Sequence, residues 1–168
     1  LELSLNTVDR KVRAANVVGW IEGSDPKLKN EYVVISSHYD HVMPRDGKIN
    51  PGADDNASGV VGMFEIAEAM MIERPKRSVI FLWNAAEEDG LMGAYYFVEH
   101  CPVPVEAISA DLNLDMISRN ATDQFYIIGA KTLSTELDRS IREANDRGVG
   151  FRLDASYVAS EPWNVVGR

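Results

Sequence analysis

The chain has 168 residues, 45% apolar and 26% charged, the balance of one soluble globular domain and not of a collagen-like, low-complexity or disordered segment. Its 26 acids against 17 bases leave a net charge of −9, which disfavours nucleic acid and anionic membrane surfaces and suits cationic partners, metal ions included. The longest apolar runs are far too short for a membrane span, and the single cysteine, Cys101, excludes an internal disulfide.

Read by periodicity, the chain alternates strand and helix. Asn16 to Ile21 predicts a strand, closed by the turn residues Glu22-Gly23-Ser24-Asp25-Pro26. Tyr32-Val33-Val34-Ile35 is short, apolar and rich in β-formers, as a central strand covered on both faces requires. A long loop from His38 to Asn56 follows. Val60, Phe64, Ala67 and Met71 then recur at helical spacing, so a helix is expected from Ala57 to about Ile72, with Asp55 or Asn56 as its cap. Val79 to Trp83 predicts a second buried strand and Leu91 to about His100 a second helix. From Ile108 to Met116 apolar residues alternate with Ser109, Asp111, Asn113 and Asp115, a strand with one core face and one polar face. A strand around Phe125 to Ile128 and a helix from about Ser134 to Arg147 complete the pattern. It specifies an α/β three-layer sandwich with a mostly parallel central sheet, a single domain over residues 1–168.

Ligands of open α/β sheets bind at the carboxyl ends of the strands. Three clusters of ligand-type residues fall there: Ser37-His38-Tyr39-Asp40-His41, Glu87-Glu88-Asp89, and Asp115. A fourth, Asp54-Asp55, directly precedes the first long helix. Taken singly, each has a structural reading: an acidic first helical turn, a helix cap, a solvent-facing strand end, a satisfied buried histidine. Taken together, so many carboxylates on one edge repel one another unless positive charge sits between them. Histidine with Asp and Glu, and no paired Cys, points to zinc or a similar ion in a catalytic site, and two cations sharing a carboxylate account for the acids better than one. Neighbouring Glu87 and Glu88 point in different directions, so one can ligate while the other acts as general base. In His38-x-Asp40 the carboxylate is placed to take the second ring N–H of a ligating imidazole. His41 is ambiguous, a loop role being favoured over a ligand role, and His100 and Cys101 carry no assigned role.

The fingerprints of serine hydrolases, P-loop kinases, His-Glu-x-x-His proteases and dinucleotide-binding dehydrogenases are all missing from the chain. Instead, Ser37-His38-Tyr39-Asp40, Pro51-Gly52-Ala53-Asp54-Asp55-Asn56-Ala57-Ser58-Gly59, Ala85-Ala86-Glu87-Glu88-Asp89-Gly90-Leu91-Met92-Gly93-Ala94 and Leu112-Asn113-Leu114-Asp115-Met116 resemble, in order and spacing, the zinc-dependent aminopeptidase family that includes bacterial leucyl aminopeptidases and aminopeptidase Y. The likeness covers residues 14–118.

The resemblance implies a zinc-exopeptidase-like fold with two zinc ions. His38 and Asp115 are then ligands of one zinc, Asp55 bridges both, and Glu88 is a ligand of the other. Glu87 is the general base toward a zinc-bridging water, with Asp40 behind His38. The implied substrate is a peptide with a free N-terminus, anchored by its α-amine, and the implied setting is secreted or periplasmic. A carboxypeptidase, a glutaminyl cyclase, or a non-catalytic receptor-like module of the transferrin-receptor kind stand as alternatives on the same fold, although every ligand position within the chain is kept. One departure is marked: the family's fifth ligand is a histidine in a C-terminal Ser-Asp-His-like motif, and no histidine follows residue 118 here. The expectation is that the chain is a C-terminally incomplete fragment, poorly active alone, of a parent aminopeptidase.

Overall fold

The computed structural model describes residues 11–44, 46–119 and 121–156. The chain divides into two compact units, Leu1–Ser118 and Arg119–Arg168, and each is described by itself.

The first unit is built on a four-stranded sheet of order β1-β3-β2-β4, with β1 Val17–Ile21, β2 Tyr32–His38, β3 Ser78–Asn84 and β4 Ile108–Asn113. Strand β2 runs parallel to both β3 and β4, while β1 lies antiparallel on β3 with Val17 opposite Trp83. The sheet is therefore mostly parallel, as the alternation of strands and helices predicts. Helix α1, Gly59–Ile72, carries the chain from β2 to β3, and helix α2, Met92–Glu99, carries it from β3 to β4. These crossovers step in opposite directions along the sheet, and right-handed connections then put the helices on opposite faces. Two separate cores record this. Ile35, Val79 and Phe81 pack with Met63 of α1, whereas Val34, Ile80 and Leu82 pack with Phe97 of α2. Three layers result. Phe64 of α1 adds a stack on Trp83, ring centroids 5.1 Å apart.

Two boundaries differ from the periodicity in ways that matter. Strand β2 runs three residues beyond its apolar stretch, through Ser36 and Ser37 to His38, all buried because β3 and β4 flank it. Strand β4 stops at Asn113 instead of reaching Met116. The Leu114 N–H still donates to the Ser36 carbonyl at 2.8 Å, after which Met116 turns left-handed at φ +49° and the chain leaves the sheet. Asp115 is thus held on a turn and not within the strand.

Helix α1 also begins later than expected, after an irregular turn, Ala53–Ser58, that contains Asp55 and Asn56. Asn56 supplies the side-chain acceptor at the helix start: its Oδ1 takes the Gly59 N–H at 3.1 Å. Gly59 itself is wedged against β2 and the turn after β4. A Cβ there would collide with the Leu114 carbonyl oxygen and stand 2.6 Å from Ser37 Oγ. Gly59→Ala is accordingly expected to cost about 2 kcal/mol or more, the upper range for overpacking, read as a lower urea midpoint at unchanged slope.

In the second unit β5, Gln124–Tyr126, pairs in parallel with β6, Arg152–Asp154, and the short α3, Ala130–Leu133, and α4, Thr135–Arg147, connect them. Ser134 caps α4 by accepting the Leu137 N–H at 3.2 Å. Phe125 and Phe151 pack with ring centroids 4.8 Å apart. No helix among the described residues is long and apolar enough to cross a membrane.

Candidate metal centre

Adjacent strands β2 and β3 send their connections to opposite faces, which opens a crevice at their carboxyl ends. His38, the last residue of β2, stands there opposite Asn84 of β3 and is only 2% exposed. Its Nε2 faces a ring of carboxylates: Asp55 Oδ1 at 3.2 Å, Asp115 Oδ2 at 3.8 Å and Glu87 Oε2 at 3.9 Å. Its Nδ1 donates to the backbone carbonyl of Asp40 at 3.0 Å. That bond commits the Nδ1 proton and leaves Nε2 for the crevice.

Asp40 lies beside the ring, within ion-pair distance of Nδ1. Its carboxylate is 3.7 Å from Nδ1, beyond a hydrogen bond, because the backbone carbonyl already holds the ring. The carboxylate turns to the loop after β3, accepting the Glu87 N–H on Oδ1 at 3.0 Å and the Glu88 N–H on Oδ2 at 3.2 Å. Asp40 thereby fixes the backbone from which both glutamates project. Ala86, just before them, sits left-handed at φ +53°, a conformation non-glycine residues seldom hold without such bracing.

Of the acidic pair before α1, Asp55 faces the cluster. Asp54 instead accepts from the Ser118 N–H and hydroxyl at 3.1 and 2.6 Å. The two oxygens of Asp55 look toward different histidines, Oδ1 to His38 and Oδ2 to His41 Nδ1 at 3.9 Å. His41, read from sequence as a plain loop residue, brings its Nδ1 to 2.9 Å from Glu88 Oε1. Two donor groups result, His38-Asp55-Asp115 and His41-Asp55-Glu88, each with its atoms within 4.8 Å of one another and with Asp55 common to both.

Asn56, buried at 2% exposure, is a residue that sequence reasoning places merely at a cap. Besides Gly59, its Oδ1 accepts the Met116 N–H at 3.3 Å and its Nδ2 donates to the Leu114 carbonyl at 3.0 Å. One side chain thus ties the turn bearing Asp55 to the turn bearing Asp115. Beside the cluster a cavity of about 140 Å³ is lined by Ser36, His38, Asn84, Glu87, Asp111 and Asp115 among others.

The electrostatics match the chemistry of a cation site. Among the described residues, the ion-pair partners of Asp55, Glu87, Glu88 and Asp115 are the two histidines. Burial raises the Glu87 pKa, and the charges of Asp115, Glu88 and Asp40 raise it further against the opposing His38. For His38 burial works against protonation, yet the hydrogen bond and charge of Asp115, with Glu87 and the Asp40 carbonyl, push it up to about 9. In the metal-free protein this imidazole is therefore charged at neutral pH, and a cation must displace its Nε2 proton. Cation affinity at His38 is expected to rise about tenfold per pH unit between 6.5 and 8.5 and to level off above 9, measured by chelator competition. The same raised pKa stabilises the metal-free fold fully below pH 6.5, and that contribution is lost as pH climbs through 9.

Imidazole nitrogen and carboxylate oxygen, without thiolate, form a donor set that fits zinc, and the shared Asp55 leaves Glu87 free of either group. Fold and donor set together define an α/β protein with a candidate zinc centre at the carboxyl edge of its sheet. Residues 16–154 match the model of peptidase family M28, and the chain belongs to that family.

Among curated relatives, an aminopeptidase of Pseudomonas aeruginosa is 34% identical over 118 residues, 70% of this chain and 20% of that one. A probable leucine aminopeptidase 2 of Aspergillus oryzae is 36% identical over 104 residues, 61% of this chain and 19% of the relative. The chain thus spans about a fifth of the length of these relatives. A zinc aminopeptidase from Bacillus subtilis superposes with a TM-score of 0.68 at 27% identity, over 82% of this chain and 33% of that structure. A glutaminyl cyclase of Bacteroides thetaiotaomicron, at 18% identity, TM-score 0.63 and coverage of 82% of this chain and 55% of its own, shares the fold alone.

Proposed function

We propose that the whole protein is a zinc-dependent aminopeptidase that releases N-terminal residues from peptides. The observation that carries this reading is the pair of His/carboxylate groups joined through Asp55, with Glu87 beside them. The family and its named aminopeptidase relatives support the reading over a carboxypeptidase, a cyclase or a receptor-like module.

In this reading two zinc ions bind, one to His38, Asp55 and Asp115 and the other to Asp55 and Glu88. Bound zinc supplies Lewis-acid polarisation of the scissile carbonyl and a water acidic enough to attack it. The remaining work belongs to the protein. Glu87 accepts the proton of the attacking water on a carboxylate whose pKa burial raises, and returns it to the leaving amine. Asp40 keeps Glu87 and Glu88 aimed in their separate directions through the two backbone N–H groups it holds. Asn56 keeps the distance between Asp55 and Asp115 fixed. The free α-amine of the peptide is recognised at the carboxylate-rich crevice.

The test is hydrolysis of aminoacyl-nitroanilides by the whole protein alongside its metal content. About two zinc per chain, activity abolished by chelation and restored by zinc, and no cleavage of an N-acetylated substrate are expected. Metal-free turnover, or equal cleavage of the blocked substrate, overturns the proposal.

A further inference from the structure

We infer that Asn16 is a positioning residue for the general base, its side-chain amide clasping both ends of the loop that carries Glu87 and Glu88. The kinetic part of the inference rests on the aminopeptidase reading above, and the structural part is read without turnover. Strand β1 pairs with β3 only as far as Val17 opposite Trp83. Asn16 stands one residue beyond that last rung, and its half-buried side chain continues the ladder in place of the backbone. Its Oδ1 accepts the Ala85 N–H at 3.0 Å, and its Nδ2 donates to the Gly93 carbonyl at 2.7 Å. Ala85 and Gly93 are the two ends of the glutamate loop, brought side by side by the Gly93 N–H on the Ala85 carbonyl at 2.9 Å.

Three observations carry the role. The first is that one planar amide makes both bonds, using its acceptor on one end of the loop and its donor on the other, so it sets the width of the loop's base. Gly93 is matched to it: a Cβ there would collide with the Ala85 carbonyl oxygen and stand 2.5 Å from Asn16 Oδ1. The second is the path between the clasped ends. Ala86 at φ +53° and Leu91 at φ +61° are both left-handed, a conformation that non-glycine residues keep only under restraint from outside. Asp40 restrains the middle of the loop through the Glu87 and Glu88 N–H groups, and Asn16 restrains its base. The third is a shared anchor. The Tyr39 hydroxyl donates to the Ala15 carbonyl at 2.7 Å, so the loop after β2 is tied to the same two residues as the loop after β3. Ala15-Asn16 thereby holds both loops that border the crevice to one stretch of backbone, and the general base stands on the second of them.

Asn16→Asp is the discriminating variant, because it keeps the acceptor for Ala85 and sets a second oxygen against the Gly93 carbonyl. In the whole protein, with zinc in excess, kcat on an aminoacyl-nitroanilide is expected to fall about 10–100-fold while KM changes less than about twofold, since displacing a positioned group by about 1 Å costs up to that much. Combined with Glu87→Gln the loss should disappear: the double variant should be no slower than Glu87→Gln alone, because Asn16 acts through Glu87. Read without activity, amide hydrogen exchange at Met92 and Gly93, whose N–H groups close the loop on Ala86 and Ala85, should accelerate at least about tenfold. The amides of Ile80 and Leu82, in the core of β3, should keep wild-type protection, which separates a loosened loop from a failed fold. Tyr39→Phe removes one exposed hydroxyl and should move the same quantities in the same direction by less. Wild-type kcat in Asn16→Asp, a loss that adds in full to that of Glu87→Gln, or unchanged exchange at Met92 and Gly93 overturns the inference. A wild type without zinc-dependent turnover defeats the aminopeptidase reading instead, and the exchange at Met92 and Gly93 then decides whether Asn16 holds the loop.

Discussion

Glu87→Gln is expected to leave the cations in place and to lower kcat of the whole protein by about 10²–10⁴-fold, the range ascribed to a positioned general base. Glutamine matches the shape of glutamate and keeps its backbone bond to Asp40, but it has no carboxylate to take a proton. Glu87 lies outside both donor groups, so its removal does not strip a ligand. Its side chain is 31% exposed, open to substrate, while burial and the neighbouring carboxylates raise its pKa above the usual carboxylate value. Glu88, one residue on, faces His41 and cannot substitute. Steady-state kinetics on an aminoacyl-nitroanilide, with zinc measured on the same samples, check the point. A near wild-type rate at unchanged metal content would remove Glu87 from the role of base.

What the sequence made legible were features encoded locally. Val79 to Trp83 announces a buried strand because five successive apolar residues need cover on both faces, and β3 includes them all. His38, Glu87-Glu88 and Asp115 were recognisable as candidates because each directly follows such a strand. Contacts made across the crevice left no local signal. His41 meets Glu88 across 47 positions of chain, and a histidine in a Pro- and Gly-rich loop has no periodicity to betray its direction. Asp40 illustrates the same limit: its spacing from His38 suggests a partner for the ring, yet the nearer carbonyl takes that bond and frees the carboxylate for the next loop. Asn56 looks like a cap because its nearest partner is Gly59, while its longer reach to Leu114 and Met116 depends on β4 lying beside β2. Strand β6 has no sequence signature for a simpler reason: Arg152–Asp154 is three residues long, and its pairing to β5 is entirely non-local.

Asp55→Ala should have the broadest effect on metal binding, because Asp55 alone belongs to both donor groups. Losing a direct ligand is expected to weaken each ion by more than the roughly 10–100-fold that outer partners contribute, so neither site fills at micromolar zinc. Asp115→Ala gives the contrast: it removes a ligand from the His38 group and leaves His41, Asp55 and Glu88 intact, so one ion should remain. Thermal unfolding reads both without recourse to activity. A cation present at a hundred times its Kd stabilises the native state by about 2.7 kcal/mol per site, which should raise the wild-type Tm on adding zinc. Asp55→Ala should show no such rise and Asp115→Ala a partial one. The backbone around Asp55 is pinned by Asn56 to the β4 side and by the Ala57 N–H on the Gly52 carbonyl at 3.0 Å, so the turn itself should survive the loss of the carboxylate. If Asp55→Ala still took up two zinc ions with wild-type affinity, no carboxylate would be shared, and the two groups would have to be separate sites.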